Sequence, residues 1–135
     1  MSKWQHTIRL TRWLAGRRLP VPIVCEFSFD PADPLAVSVT FRTERQYPPR
    51  WVFARELLCE GFIARSGQGD VQIWPEYDEE GGCSLWIQVG NASGTALFEA
   101  PARPVAEWLA HSYAMVPRGR ELAHVNWDAL AQTFQ

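Results

Sequence analysis

Strict alternation of apolar and polar residues is the feature that most constrains what this chain can fold into. Side chains leave a strand on opposite sides in turn, so a two-residue period marks a half-buried β-strand. Residues 6–14 place Ile8, Leu10 and Leu14 on one side and Thr7, Arg9, Thr11 and Trp13 on the other. Residues 21–29 line up Val21, Ile23, Cys25, Phe27 and Phe29, and residues 36–43 set Val37, Val39 and Phe41 against Ser38, Thr40 and Arg42. Between them, Asp30-Pro31-Ala32-Asp33-Pro34 has the residues of a turn. Tyr47-Pro48-Pro49 interrupts the pattern, and Trp51-Val52-Phe53 opens a short fourth strand.

At Ala54 the period lengthens. Ala54, Leu57, Leu58 and Gly61 fall at helical spacing, with Arg55, Glu56 and Glu60 on the solvent side and Gly61 as a C-terminal stop. The second half repeats the theme: a strand at 70–74 entered through Gly67-Gln68-Gly69, then one at 83–89 with Cys83, Leu85, Ile87 and Val89 on one side. Asn91-Ala92-Ser93-Gly94 turns the chain into a strand at 95–100. Pro101 and Pro104 begin a helix with an inner stripe of Val105, Trp108, Leu109 and Ser112, closed by Pro117-Arg118-Gly119. Asn126 is placed to cap a last short helix holding Trp127, Leu130 and Phe134. The predicted fold is α+β and mostly antiparallel, in the order ββββα–βββα plus a terminal helix. No long linker parts the halves, so residues 1–135 are expected to form one domain around a shared core.

Composition narrows the function classes. A chain of 135 residues with 47% hydrophobic content, seven Trp and seven Phe can bury a core and is not disordered. No apolar run approaches the roughly 18 residues of a membrane helix, and the N-terminus lacks the apolar stretch of a signal peptide. A cytoplasmic protein without membrane insertion is the expectation. Cys25, Cys59 and Cys83 form no C-x-x-C pair and are read as buried free thiols. A net charge of −2 argues against a general nucleic-acid binder, but the charge is uneven. Residues 1–67 carry ten basic and six acidic side chains, and residues 68–135 carry three and nine. Such polarity suits an oriented partner or head-to-tail self-association.

Tests for chemistry return little. His6, His111 and His124 fall on a strand edge, a helix and a turn, with no Cys partner at a readable spacing and no G-x-S-x-G elbow. No ligand pair has metal spacing. Ser66-Gly67-Gln68-Gly69-Asp70 lacks the Lys-Ser/Thr ending of a phosphate loop and precedes a strand, so it reads as a hairpin-type turn. Asp78-Glu79-Glu80-Gly81-Gly82 lacks the ligand spacing of a calcium loop and reads as a solvated turn. Asp70, Glu76, Glu99 and Glu107 are carboxylates without a pairing motif. No catalytic, cofactor-binding or metal residue is assigned, and an enzyme is not expected.

The aromatic–basic mixture carries more information. Arg9, Arg12, Trp13, Arg17 and Arg18 lie on and after the first strand, and Arg42, Arg45, Arg50 and Trp51 follow later. Arginine beside exposed aromatics on a sheet can hold single-stranded nucleic acid. The plainer reading packs Trp13 and Trp51 against the helices and leaves the arginines solvating a strand face. Arg9, Arg12 and Trp13 are the candidates for a protein-binding surface.

Several segments together resemble the SsgA-like family of sporulation and cell-division regulators of actinobacteria. They are Leu19-Pro20-Val21-Pro22, Asp33-Pro34-Leu35-Ala36-Val37 with Phe41, and Trp51-Val52-Phe53-Ala54-Arg55-Glu56-Leu57-Leu58 with Glu60-Gly61. Gly67-Gln68-Gly69-Asp70-Val71 with Trp74-Pro75, and Ala96-Leu97-Phe98-Glu99-Ala100-Pro101-Ala102, continue the match in order. The resemblance implies a fold similar to the whirly and mitochondrial RNA-binding proteins. It also implies a non-catalytic role: an adaptor that recruits or positions the tubulin-like division protein FtsZ at the septum during sporulation. A homo-oligomer is implied too, a trimer by analogy, with FtsZ or another SsgA-like protein as partner and no cofactor. The alternative is a single-stranded nucleic-acid-binding protein on the same whirly-like fold, which the acidic second half disfavours.

Overall fold

The computed structural model describes residues 2–44, 46–67, 69–91, 93–123 and 127–133. Arg45, Gln68, Ala92, His124, Asn126 and Phe134, and the side chains of Trp127 and Leu130, lie outside the described residues. The expected cap and apolar stripe of the last helix fall among these.

The alternating segments become β1 (Trp4–Leu14), β2 (Leu19–Phe29), β3 (Ala36–Arg42) and β4 (Arg50–Ala54), followed by α1 (Arg55–Gly61). The second half gives β5 (Val71–Tyr77), β6 (Cys83–Asn91), β7 (Gly94–Pro101) and α2 (Ala102–Met115), and α3 (Trp127–Thr133) follows. The expected order ββββα–βββα plus a terminal helix is thus present. All seven strands join one antiparallel sheet in the order β4-β3-β2-β1-β7-β6-β5. The two halves meet where Thr11, Arg12 and Trp13 of β1 face Glu99, Phe98 and Leu97 of β7.

β5 runs three residues past its expected end, because Pro75 and Glu76 pair with Leu85 and Ser84 of β6. Pro75 is tolerated there since β5 is an edge strand and one side of its backbone needs no partner.

One face of the sheet carries the core. Ile8, Leu10, Cys25, Phe27, Phe29, Val37, Val39 and Phe41 come from the first half, and Ile73, Leu85, Ile87, Val89, Phe98 and Ala100 from the second. α1 and α2 lie on this face and both cross between halves. α1 follows β4 but reaches β5, and α2 follows β7 but reaches β1. Trp108 of α2 meets Phe27 of β2 edge-on at 5.5 Å. The expected stripe of Val105, Trp108, Leu109 and Ser112 is the buried stripe of α2.

Two expectations for α1 are corrected. Arg55, placed on the solvent side, is 1% exposed, while Ala54, placed on the inner stripe, is exposed. Helical periodicity sorts side chains by polarity, and it cannot anticipate a cation with buried partners. α1 ends at Gly61, as expected, but not through a left-handed turn, since the next residue, Phe62, has φ −74° and ψ −16°. The role of the glycine is close approach: a Cβ at Gly61 would sit 2.3 Å from Ile73 Cγ2. The thiols divide as well. Cys25 is buried, whereas Cys59 and Cys83 are half-buried, so the expectation of three buried thiols holds for one.

Candidate interaction surface

The strand period that buries the core turns a second set of side chains to the opposite face of the sheet, away from α1 and α2. On β1 these include Arg9, Thr11 and Trp13, whereas Arg12 shares the core face with Ile8 and Leu10. The three residues expected to form one protein-binding surface are therefore split. Arg9 and Trp13 are on the outer face and Arg12 on the inner one.

The outer face has two parts. On the second half, Thr11, Glu99, Trp86 and Trp74 stand side by side across β1, β7, β6 and β5. Trp13 stacks on Trp86 at 6.2 Å, and Trp86 stacks on Trp74 at 6.5 Å. Arg17, from the β1–β2 turn, lies over the Trp86 ring at 3.7 Å, and Arg65 lies over Trp74 at 4.3 Å. This ladder is a second apolar cluster on the polar side of the sheet, and Trp86 is only 5% exposed within it. Trp13 thus packs on other tryptophans rather than on the helices as expected. Trp51 sits on the core face and packs against the core cluster.

The acids of the ladder have assigned work. Trp13 Nε1 donates to Glu99 Oε1 at 2.9 Å, and the Ser84 hydroxyl donates to Glu99 Oε2 at 2.8 Å. Glu76 accepts two hydrogen bonds from Arg17 and one from Trp74 Nε1. The Arg17 guanidinium holds the Glu76 carboxyl below the ordinary glutamate range. Arg17 lies in a left-handed turn with Ala15 and Gly16, at φ 70°, 51° and 62°. Two of those residues are not glycine, so the Arg17 contacts offset backbone strain in the turn. The sequence groups Trp13 with Arg17 in its aromatic–basic mixture but does not join them to Trp74 and Trp86, although all three tryptophans fall on the polar side of their own strand's alternation.

The first half of the outer face is different. Arg9 of β1, Val24 of β2 and Arg42 of β3 are neighbours in register, forming one row across three strands. The next row holds Glu26, Thr40 and Arg50, and Val52 follows on β4. Val24 is 38% exposed and Val52 53%. Glu26 accepts a hydrogen bond from Arg42 at 2.9 Å. The result is a basic surface with exposed aliphatic side chains on the face opposite α1 and α2.

The sites expected to be plain turns are so. Asp78 Oδ1 accepts from the backbone N–H groups of Glu80 and Gly82, closing the 78–82 turn. Ser66 and Ile73 exchange backbone hydrogen bonds across the glycine-rich segment. Among the described residues no group of three or more His, Cys, Asp or Glu is arranged to hold a metal ion. No helix among them is long and apolar enough to cross a membrane.

A curved seven-stranded antiparallel sheet with two helices on one face is the architecture of known sporulation and division proteins. The structure of an SsgA-like sporulation-specific cell division protein from Thermobifida fusca superposes with a TM-score of 0.85 at 32% identity, covering 99% of this chain and 96% of that one. A structure of SsgB, reported with mutations that correlate to longitudinal cell division during sporulation of Streptomyces coelicolor, gives a TM-score of 0.82 at 35% identity over 91% and 95%. In sequence, the sporulation-specific cell division protein SsgB of Streptomyces coelicolor is 42% identical over 117 residues, 87% of this chain and 85% of that protein. SsgB of Frankia casuarinae is 40% identical over 110 residues, 82% and 76%. Residues 23–121 match the family described as Streptomyces sporulation and cell division protein, SsgA. The chain belongs to the SsgA family.

Proposed function

We propose that this protein is a non-catalytic adaptor of sporulation-specific cell division that helps to recruit or position FtsZ at the septum from the cytoplasm. Family membership and the names of its relatives support the role in sporulation division. The observation that carries the adaptor reading is the row Arg9–Val24–Arg42 on the face opposite α1 and α2. An exposed aliphatic residue flanked by guanidinium groups has the make-up of a protein interface, where Arg is enriched and apolar contact is central. Its basic character fits a partner surface rich in carboxylates. Self-association into a homo-oligomer, a trimer by family analogy, is part of the same proposal.

The rival nucleic-acid reading needs free aromatic faces for bases. Trp86 here is stacked on both sides of the ladder and roofed by Arg17, and Arg65 lies over Trp74. The adaptor reading is therefore preferred. A pull-down of purified protein against FtsZ, with light scattering for oligomeric state and oligonucleotide anisotropy at low and moderate salt, separates the two. Retention of FtsZ without salt-steep oligonucleotide binding supports the adaptor, and the reverse supports the rival.

A further inference from the structure

The core face of the sheet is only partly filled. α2 and α1 cover the half near Ile8, Phe27 and Phe29, and the other half, towards the β1–β2 turn, is a cleft of about 490 Å³. Its walls come from opposite ends of the curved sheet: Ile23, Phe41 and Trp51 on one side, Val89 and Phe98 on the other. Phe41 and Phe98 stack at 4.2 Å and close its floor. That volume is within the range of binding pockets and takes one large apolar side chain with some of its backbone.

Among the described residues Arg12 is the single charged one lining this cleft, and no carboxylate among them lines it. Arg12 Nε is shut off from solvent and has no hydrogen-bond partner. A guanidinium placed among apolar and aromatic walls without a counter-charge favours an incoming carboxylate, since charge-assisted hydrogen bonds are strongest where water is excluded. The apolar strip also continues outward from the cleft: Val21 stands beside Arg12 in register and is exposed, as is Leu19 nearer the turn. A ligand that extends past the cleft gains contact there, which suits a peptide segment better than an enclosed small molecule.

We propose that this cleft is a second binding site, separate from the outer face, for a peptide segment of a partner protein. An aromatic or branched apolar side chain enters between Trp51 and Phe98, and a neighbouring side-chain carboxylate pairs with Arg12. The proposal goes beyond the adaptor reading, and neither depends on the other because the two sites lie on opposite faces.

The test is an NMR titration of the ¹⁵N-labelled full chain with a blocked tripeptide of phenylalanine between two glutamates. Shifts are expected at the Trp51 indole, Ile23 and Ala96, with affinity falling about tenfold or more for the tripeptide whose glutamates are replaced by glutamine. Arg12→Gln should cause a similar loss, and Ala96→Leu, which narrows the cleft and keeps Arg12, should weaken binding as well. Arg9→Gln should change nothing. Having two cleft variants keeps the test valid should one of them fail to fold. No shifts at the cleft, equal affinity for the uncharged tripeptide, or binding that both folded cleft variants retain would overturn the proposal. Benzoate alone shifting the same residues as strongly as the tripeptide would also overturn it, by assigning the cleft to small carboxylates.

Discussion

Arg55 Nη1, on the first turn of α1, donates to the carbonyl oxygen of Ser112 in α2, 3.0 Å away. The same guanidinium lies over the Tyr113 ring at 3.9 Å and the Phe29 ring at 4.8 Å, and Nη2 reaches Glu121 Oε1 at 3.4 Å. One buried cation therefore ties the two helices, the sheet and the segment after α2 together. Replacing Arg55 by Ala removes the charged donor from the Ser112 carbonyl, which keeps the Val116 N–H, and from Glu121, which keeps the Gly119 N–H, and it empties a buried side-chain site. The expected cost is about 3 kcal/mol, from the lost charged hydrogen bond to a buried carbonyl and the side-chain volume left empty. Urea unfolding of wild type and Arg55→Ala checks this, and Arg55→Lys should recover part of the loss.

Trp108 sits where both halves of the core meet, edge-on to Phe27, and its carbonyl accepts from Trp4 Nε1 at 3.2 Å. Truncation to Ala opens a large cavity in a site that packed helices and sheet cannot collapse into. The expected destabilisation is about 3–5 kcal/mol, and Phe53→Ala should fall near the lower end because Phe53 lies at the margin of the core. Thermal and denaturant melts of both variants supply the comparison.

The Arg17–Glu76 pair predicts a pH dependence with a definite sign. The Glu76 carboxyl is held low in the folded state, first by Arg17. Its contribution is therefore fully present above the unfolded glutamate value of about 4.3 and is lost as pH falls through the lower folded value. Both side chains are more than a third exposed, so solvent screening limits the contribution to about 0.5 kcal/mol. The melting-temperature gap between wild type and Glu76→Gln should be measurable at pH 7 and should close as the pH falls below 4.

Thiol reactivity should follow burial. Desolvation pushes the Cys25 thiol up to about 12, and its side chain is enclosed in the core. Alkylation of the native protein at pH 8 should modify Cys59 and Cys83 within minutes and leave Cys25 untouched until denaturant is added. Mass spectrometry of the labelled chain reads this directly.

The sheet was legible because β-alternation is a local signal: Ile8 and Leu10, or Val37 and Val39, declare their face without reference to any other strand. The α2 stripe was legible for the same reason. What escaped depends on contacts distant in sequence. The Trp13–Trp86–Trp74 ladder exists only once β1, β7, β6 and β5 are adjacent in that order, and Arg55 reads as a surface cation until Ser112 and Tyr113 are brought to it. The face of Arg12 is legible in the same local signal, since the alternation puts it on the side of Ile8, Leu10 and Leu14 and apart from Arg9 and Trp13. Gly61 marks the end of α1, as a glycine at a helix end often does, but here it makes room for Ile73 rather than forming a left-handed cap.

The proposed recruitment surface, on the face opposite α1 and α2, should be separable from folding. Charge reversal at Arg9 and Arg42 together, both exposed and distant from the core, tests it most directly by co-sedimentation with polymerised FtsZ. The Arg9→Glu, Arg42→Glu protein should keep its melting curve within a degree or two, as surface substitutions of under about 0.5 kcal/mol do, and lose most of its co-sedimentation. Undiminished co-sedimentation by that well-folded variant would contradict the proposal.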